Sequence, residues 1–459
     1  MRAQPATATV QALLWGLLLA GLLSSLIALV QVFAPSWPDG NWIARATSAP
    51  PRAGANLRQP NHLSSLLLWS LIALIGLRDS HALMRRPWWL AALVLLCLSL
   101  VLTGSRTGVL GVLMLAAWGL VDRRLTQASR VALALLPLLY AALWFSMVSG
   151  SHALGHEVAA EGRASLAGSG DISSSRFAIW SNTLALMANE PLLGVGFGEF
   201  NLAWTLTAFA ARPTAFFDHT HNLPLQLLVE FGIPVGTLLI ALLALALAQA
   251  ALRAWRCTGE VGVAKRAALM IVLMIGLHSM LEYPLWYAYF LLPAAFAWGF
   301  ALAPPPGAEQ DTRATEPTRP RRAMALAGMA LSIGAAAAVL DYRNVVVIYD
   351  PPDDAVPLET RVARGQRSLL FGHHADYAAA TAFGPPKAPL SLSQQLALRR
   401  APHQLLDVRL LIAWSQALAA QGELDKARWL AARIREFHNS GADDYFAPCA
   451  DTAQATQAF

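Results

Sequence analysis

Uninterrupted apolar runs, each near the roughly 20 residues a helix needs to cross a bilayer's hydrocarbon, set the narrowest limit on the fold. They recur over the first three quarters of the 459 residues, at about 10–34, 61–77, 88–104, 107–121, 131–148, 222–252, 267–283, 285–303 and 323–340. A soluble core has no use for nine such stretches. Composition agrees: 56% of the chain is hydrophobic and 14% charged, against about 25% charged in a soluble domain. The fold class expected is therefore all-α, a polytopic helical bundle in a membrane. The first run is long for a signal peptide and has no clear small-residue cleavage site before Pro35, so it is expected to stay in the chain.

The connections between runs alternate in character. Arg78, Arg85 and Arg86; Arg123, Arg124 and Arg130; Arg253, Arg256, Lys265 and Arg266; and Arg319, Arg321 and Arg322 fall in every second one. The positive-inside rule assigns these to the cytoplasm and explains the formal charge of +6 without nucleic acid as a partner. The opposite face then carries 35–60, the turn around Ser105–Thr107, the connection 149–221, the turn at Tyr283–Pro284 and everything after Tyr342. The connection 149–221 is far longer than a plain linker and is the place to look for chemistry.

The organisation expected is a membrane domain over 1–303, a Pro-rich charged linker over 304–322, one further span over 323–340 and a helical tail over 341–459. Within the tail, Ala, Leu and Trp at helical spacing on both sides of Gly422 predict a helical hairpin, similar to one tetratricopeptide unit. Cys97, Cys257 and Cys449 offer neither a disulfide framework nor zinc spacing.

The segment DHTHNLPLQLLVEFG, 218–232, holds the densest cluster of chemical groups. Pro224 suits a first helical turn and Asn222 an N-cap, which puts His221 just outside a helix N-terminus. There the dipole disfavours imidazolium, so the ring can act as a base, and backbone amides can meet an anion. Two other readings stand beside this one. Asp218, His219 and His221 could converge on a metal, although no further ligand cluster lies nearby, or both histidines could simply bond loop carbonyls.

Arg106, in LTGSRTGVL, and Arg176, in SSSRFAIW, emerge on the same outer face as His221 in this topology. Guanidinium matches phosphate oxygens bidentately, so the three suggest recognition of a phosphorylated group; arginines resting at lipid headgroups are the plain alternative. Gly194, Gly196 and Gly198 lack the βαβ context of a nucleotide fold and read instead as a flexible or closely packed loop. His278 and Glu282, four apart near the outer end of a span, are candidates because ionisable groups at membrane depth are usually functional. Structural pairing of the two is the other reading.

Five stretches then carry a resemblance: RQPNHLSSLLLWSLIAL at 58–74, TGSRTG at 103–108, SRFAIW and PLLGVGFGEF within 175–200, HTHNLPLQLLVEFGIPVG at 219–236, and HSMLEYPLWYAYFL at 278–291. In this order they resemble bacterial protein O-oligosaccharyltransferases, the pilin-type O-glycosylation ligases, within the superfamily of O-antigen ligases and Wzy-type polymerases. The resemblance implies an inner-membrane enzyme with its active site facing the periplasm. It implies metal-independent, inverting transfer of a preassembled glycan from undecaprenyl pyrophosphate to Ser or Thr of a periplasmic or pilin protein, with no cofactor. His221 matches the histidine that activates the acceptor, and Arg106 and Arg176 match the arginines that hold the pyrophosphate. His219, Glu282, His278, Asn61 and His62 are secondary candidates.

Family members begin with further spans ahead of the segment resembling 10–34, so the resemblance implies that an N-terminal part is missing here. Two competing functions remain: a ligase or polymerase with a saccharide acceptor, and a non-catalytic transporter or lipid-binding protein. The last predicts charges lining a path across the bilayer, whereas the candidate residues cluster on one face.

Overall fold

In hydrocarbon a backbone N–H finds no water, so the chain satisfies it four residues back, in a helix. The computed structural model describes residues 5–46, 51–80, 86–154, 172–213, 216–304, 319–385 and 389–450, and these contain α-helices, short 3-10 turns and no strand. Six helices are long and apolar enough to cross a membrane: Ala8–Phe33, Pro60–Asp79, Gln127–Gly150, Leu223–Arg256, Gly259–Ser279 and Ala325–Tyr349. The chain is a membrane protein. The runs expected at 88–104, 107–121 and 285–303 form shorter apolar helices, Trp88–Thr103, Arg106–Val121 and Ala288–Leu302. Most of 149–171 and of the linker 304–322 lies outside the described residues.

The backbone divides into two units. The first comprises Met1–Asp171, His221–Leu223 and Ile240–Glu309. Its centre is the Pro60–Asp79 helix, in which all but a few residues are buried. Around it pack the helices Pro5–Phe33, Arg86–Thr103, Arg106–Val121 and Gly259–Ser279. Close approach is enforced by small residues: a Cβ on Gly21 would lie 2.0 Å from the Ser70 hydroxyl oxygen. That hydroxyl donates to the carbonyls of Leu17 (2.8 Å) and Leu66 (2.7 Å). The Trp69 indole donates to Ile271 O across another helix pair (2.9 Å).

One end of this unit gathers several of the basic residues that the topology rule picked out, and Lys265, Arg266, Arg124 and Arg253 there have structural partners. Lys265 caps the Ala288–Leu302 helix by donating to the carbonyls of Phe300 (2.9 Å), Ala301 (3.3 Å) and Ala303 (2.6 Å). The buried Arg266 pairs with Asp122 at 2.7 Å, and Asp122 also accepts from the Trp118 indole. Arg124 donates to Cys257 O (2.9 Å), and Arg253 to Leu302 O. With these partners the helix begins at Gly259, well before the expected apolar start at 267.

The second unit comprises Ile172–Thr220, Pro224–Leu239 and Gln310–Phe459. Inside the Leu223–Arg256 helix, Gly232 departs from helical geometry at φ 75° and ψ 167°, and Pro234 removes an amide. The glycine loop repairs the break. Val195 and Gly196 amides donate to the carbonyls of Val229 (2.9 Å) and Glu230 (3.1 Å), while Ile233 N donates to Pro191 O (2.8 Å). Residues 194–196 of GVGFG are therefore a closely packed clasp, and a Cβ on Gly232 would lie 2.2 Å from Leu192 O.

In the same unit, helices Leu358–Gly365, Gly372–Thr381, Leu392–Arg400, Val408–Ala420, Leu424–Glu436 and Asp443–Ala450 follow the long Arg319–Tyr349 helix. The expected hairpin around Gly422 is present, with Gly422 at φ 82° in its turn. It shares one apolar core with Ile179, Phe200 and Trp204 of the 172–220 segment. Arg212 fastens that core. Its side chain is 1% exposed, pairs with Glu436 at 3.1 Å and lies within 4.7–5.1 Å of the Trp204, Phe209 and Phe437 rings. It also donates to Trp204 O (2.8 Å) and Thr205 O (3.3 Å) at the end of the Phe200–Leu206 helix. Burial draws its pKa down and Glu436 opposes that shift.

Candidate active site

His221 lies two residues before the helix that starts at Leu223, with a left-handed backbone, φ 54°. Such a φ is uncommon for a residue with a Cβ and marks a position held by its surroundings. Within the first unit, the ring stands with Nδ1 2.8 Å from Glu282 Oε2. The side chains are 16% and 11% exposed, so the pair is largely but not wholly withdrawn from water. Tyr283 meets the imidazole edge to face, centroids 5.0 Å apart. The Asn222 amide donates to Met280 O (3.4 Å), which joins the two chain segments again one residue on.

Glu282 is outside the helix in which 267–283 was expected to place it. The Gly259–Ser279 helix ends early, and Met280–Tyr283 turns toward the 3-10 element Pro284–Trp286. His278 and Glu282 therefore do not share a helical face: the His278 ring is 2.7 Å from the Ser65 hydroxyl, whereas Glu282 faces His221 and Asn61.

Asn61 is the second residue of the Pro60–Asp79 helix, whose N-cap Gln59 accepts from His62 N at 2.7 Å. Its amide nitrogen donates to Glu282 Oε1 (3.2 Å) and its oxygen accepts from the Ser105 hydroxyl (2.8 Å). Ser105 is in turn the N-cap of the Arg106–Val121 helix, accepting from Gly108 N (3.2 Å). Arg106 is the first residue of that helix and is exposed. The turn before it is braced by Arg52, which donates to Thr103 O (3.0 Å). His62 sits beside this line with Nδ1 2.7 Å from the Tyr289 hydroxyl, its ring edge-on to Tyr287 and Phe290. Hydrogen bonds and an ion pair join His221, Glu282, Asn61 and Ser105, the residue before Arg106, in one connected group.

The second unit carries the other candidates. Arg176 is half-buried in the Ile172–Asn189 helix. That helix starts at Ile172, before the three serines, whose backbone lies within its first turn. Four residues on, the Trp180 indole donates to Thr220 O (2.9 Å), and Thr220 N donates to Gln226 Oε1 (2.8 Å). Gln226 Nε2 completes the chain to the buried Glu230 at 2.9 Å. The residue before His221 is thus held at both its amide and its carbonyl. His219 Nδ1 is 3.1 Å from Asp218 Oδ1. Among the described residues no three His, Cys, Asp or Glu side chains are grouped to hold a metal.

Of the residues in this group, Ser105 and Tyr283 were not singled out as candidates from the sequence. Ser105 had a readable signal, a serine immediately before an apolar helix. The Asn61–Glu282 contact joins positions 221 apart and leaves no local mark.

Arranged this way, a histidine backed by a carboxylate can take a proton while a guanidinium at the start of a nearby helix meets an anion. Comparison with known proteins agrees in class. Residues 91–241 match the family model described as O-Antigen ligase, and residues 266–446 match "Virulence factor membrane-bound polymerase, C-terminal". Residues 53–76, which include Asn61 and His62, match the model described as "Protein glycosylation ligase". Together with the relatives below, these matches support the O-oligosaccharyltransferase family within the O-antigen ligase superfamily as what the chain is similar to.

Two relatives from Acinetobacter baylyi (strain ATCC 33305 / BD413 / ADP1) are similar to it. A "General O-oligosaccharyltransferase" is 27% identical over 302 residues, covering 62% of this chain and 49% of the relative. A "ComP-specific O-oligosaccharyltransferase" is 26% identical over 271 residues, covering 57% and 46%. The chain spans about half the length of these curated relatives.

Proposed function

We propose that this protein transfers a preassembled oligosaccharide from undecaprenyl pyrophosphate to Ser or Thr hydroxyls of a periplasmic or pilin protein. It does so in the inner membrane, with the active site on the periplasmic face and without a metal or cofactor. The observation that carries this reading is the Glu282–His221 pair, Nδ1 to Oε2 2.8 Å, just ahead of a helix N-terminus. In this reading residues 1–303 form the membrane domain with the connection 149–221 on the outer face. The linker 304–322 is cytoplasmic, 323–340 crosses back, and 341–459 is a periplasmic tail.

With Nδ1–H directed at Glu282, His221 presents Nε2 as the basic nitrogen. Nε2 takes the proton of the acceptor hydroxyl as its oxygen attacks sugar C1. The new C1–O bond forms as the C1–O bond to pyrophosphate breaks, and the electron pair leaves on the lipid pyrophosphate. In-line attack inverts the anomeric carbon. Glu282 stabilises the imidazolium that results, and Arg106 and Arg176 neutralise the charge that grows on the leaving group; such stabilisation is usually the largest catalytic contribution. Arg176 takes its role from the family resemblance and the chemistry of guanidinium. His219, His278 and His62 support the site without touching the reacting atoms.

Co-expression with a defined lipid-linked oligosaccharide, followed by mass spectrometry of periplasmic proteins, tests donor and acceptor together. Glycosylated Ser or Thr is expected. The match to the O-Antigen ligase model supports a second reading, a saccharide acceptor. Modified lipopolysaccharide with unmodified proteins would establish that reading in place of the first.

A further inference from the structure

We propose that Asn61 and Ser105 are positioning residues that tie the carboxylate behind His221 to the start of the helix bearing Arg106. The inference rests on the base role given above to His221. Four contacts make the line: Gly108 N to Ser105 Oγ (3.2 Å), Ser105 Oγ to Asn61 Oδ1 (2.8 Å), Asn61 Nδ2 to Glu282 Oε1 (3.2 Å) and Glu282 Oε2 to His221 Nδ1 (2.8 Å).

The direction of every proton in this line follows from the carboxylate. Ionised Glu282 only accepts, so Asn61 turns its NH2 to Oε1 and its Oδ1 to Ser105. The Ser105 hydroxyl then donates to Oδ1 while taking the Gly108 N–H on a lone pair. A carboxylate accepting at Oε1 is held with Oε2 2.8 Å from Nδ1 of His221, an ion-pair contact that favours a proton on that nitrogen. The tautomer that places the basic lone pair on Nε2 is then selected from a helix cap more than a hundred residues away in sequence.

Neither residue is explained by packing or capping alone. Gln59 already caps the Pro60–Asp79 helix, and a serine cap needs no asparagine. What Asn61 adds is the link itself. Because Ser105 directly precedes Arg106, one hydroxyl sets both the first turn that carries the guanidinium and the amide that steadies the base. The two residues act through Glu282 and do not contact substrate.

The test uses the purified full chain in lipid nanodiscs, an undecaprenyl-pyrophosphate-linked oligosaccharide and the acceptor identified by the mass spectrometry above. Asn61→Ala is expected to lower kcat about tenfold, as for loss of a hydrogen bond to a charged group, with the KM for donor changed less than about twofold. Ser105→Asp keeps the cap but cannot donate to Asn61, so it is expected to lose as much; Ser105→Thr keeps both and is expected to restore transfer. The double variant Asn61→Ala with Ser105→Asp should fall no further than either single one. In a Glu282→Gln background, Asn61→Ala should change nothing more.

Wild-type kcat in Ser105→Asp, multiplied losses in the double variant, or an undiminished effect of Asn61→Ala beside Glu282→Gln would each overturn the link. A melting temperature that falls in step with kcat and is not recovered by Ser105→Thr would do so too. Transfer that survives in His221→Asn, measured in the same series, would instead overturn the base role and the link with it.

Discussion

His221 combines a left-handed backbone with a ring held against a carboxylate, and the two demands call for separate controls. Alanine at φ 54° keeps the backbone strain, on the order of 1–2 kcal/mol, and loses the ring contacts. Asparagine tolerates this conformation, so His221→Asn is the cleaner probe. Transfer should fall by about 10²–10⁴, the usual contribution of a general base, while the melting temperature in detergent changes little. Glu282→Gln keeps the size of the side chain but removes the charge that Asn61 and His221 face. We expect kcat to drop about 10–10²-fold, less than for a fully buried Asp–His pair because Glu282 keeps some exposure. A wild-type rate in Glu282→Gln would remove the carboxylate from the mechanism. The chemical types at this site were readable one by one: His221 beside a helix start, Glu282 near a span end, Arg106 in a polar turn. Their partners were not, since Asn61 reaches Glu282 and Ser105 across 221 and 44 positions.

Helix ends decide much of the geometry. The break at Gly232 lets the clasp of Val195 and Gly196 take over two carbonyls that the helix cannot use. Its φ 75° and ψ 167° lie in a region almost reserved for glycine, and an added Cβ would meet Leu192 O at 2.2 Å. Gly232→Ala should therefore cost about 3 kcal/mol or more, seen as a large fall in melting temperature or failure to accumulate. A stability within about 0.5 kcal/mol of wild type would mean that the clasp does not form. Gly232 and Pro234 were visible in the sequence, and so was the glycine loop at 194–198. That each answers the other's unsatisfied backbone was not, because hydrogen-bond demand has no residue code of its own. The same holds at Lys265 and Arg266, which read only as topology markers until their carbonyl and Asp122 partners were placed.

Across the whole molecule, the segment 172–220 and the C-terminal helices belong to one compact unit with a shared apolar core. Arg212 is the test of that statement. Removing it takes from Glu436 one of two arginine partners, leaving Arg433 at 2.7 Å, and leaves the Phe200–Leu206 helix uncapped at its end, at a cost of about 1.5–3 kcal/mol. Hydrogen–deuterium exchange on Arg212→Ala should show faster exchange in Phe200–Leu206 and in Val408–Ala420 and Leu424–Glu436 together. Acceleration confined to the first segment would show that the two are not cooperative. Arg212→Lys is expected to recover little, since an ammonium cannot serve three rings, a carboxylate and several carbonyls in one plane.

The sequence by itself determined that this is a helical membrane protein, where its apolar helices lie, and which residue types could bind a phosphorylated group and move a proton. Helix periodicity, hydrocarbon thickness and charge asymmetry act over a turn or a span, so they are written locally. Tertiary structure decided which carboxylate stands behind His221, what Asn61 connects, how the glycine loop mends a helix and that the tail shares its core with 172–220. Those outcomes depend on the packing of positions tens to hundreds of residues apart, where each buried polar group must find a partner and only the folded chain determines which one is within reach.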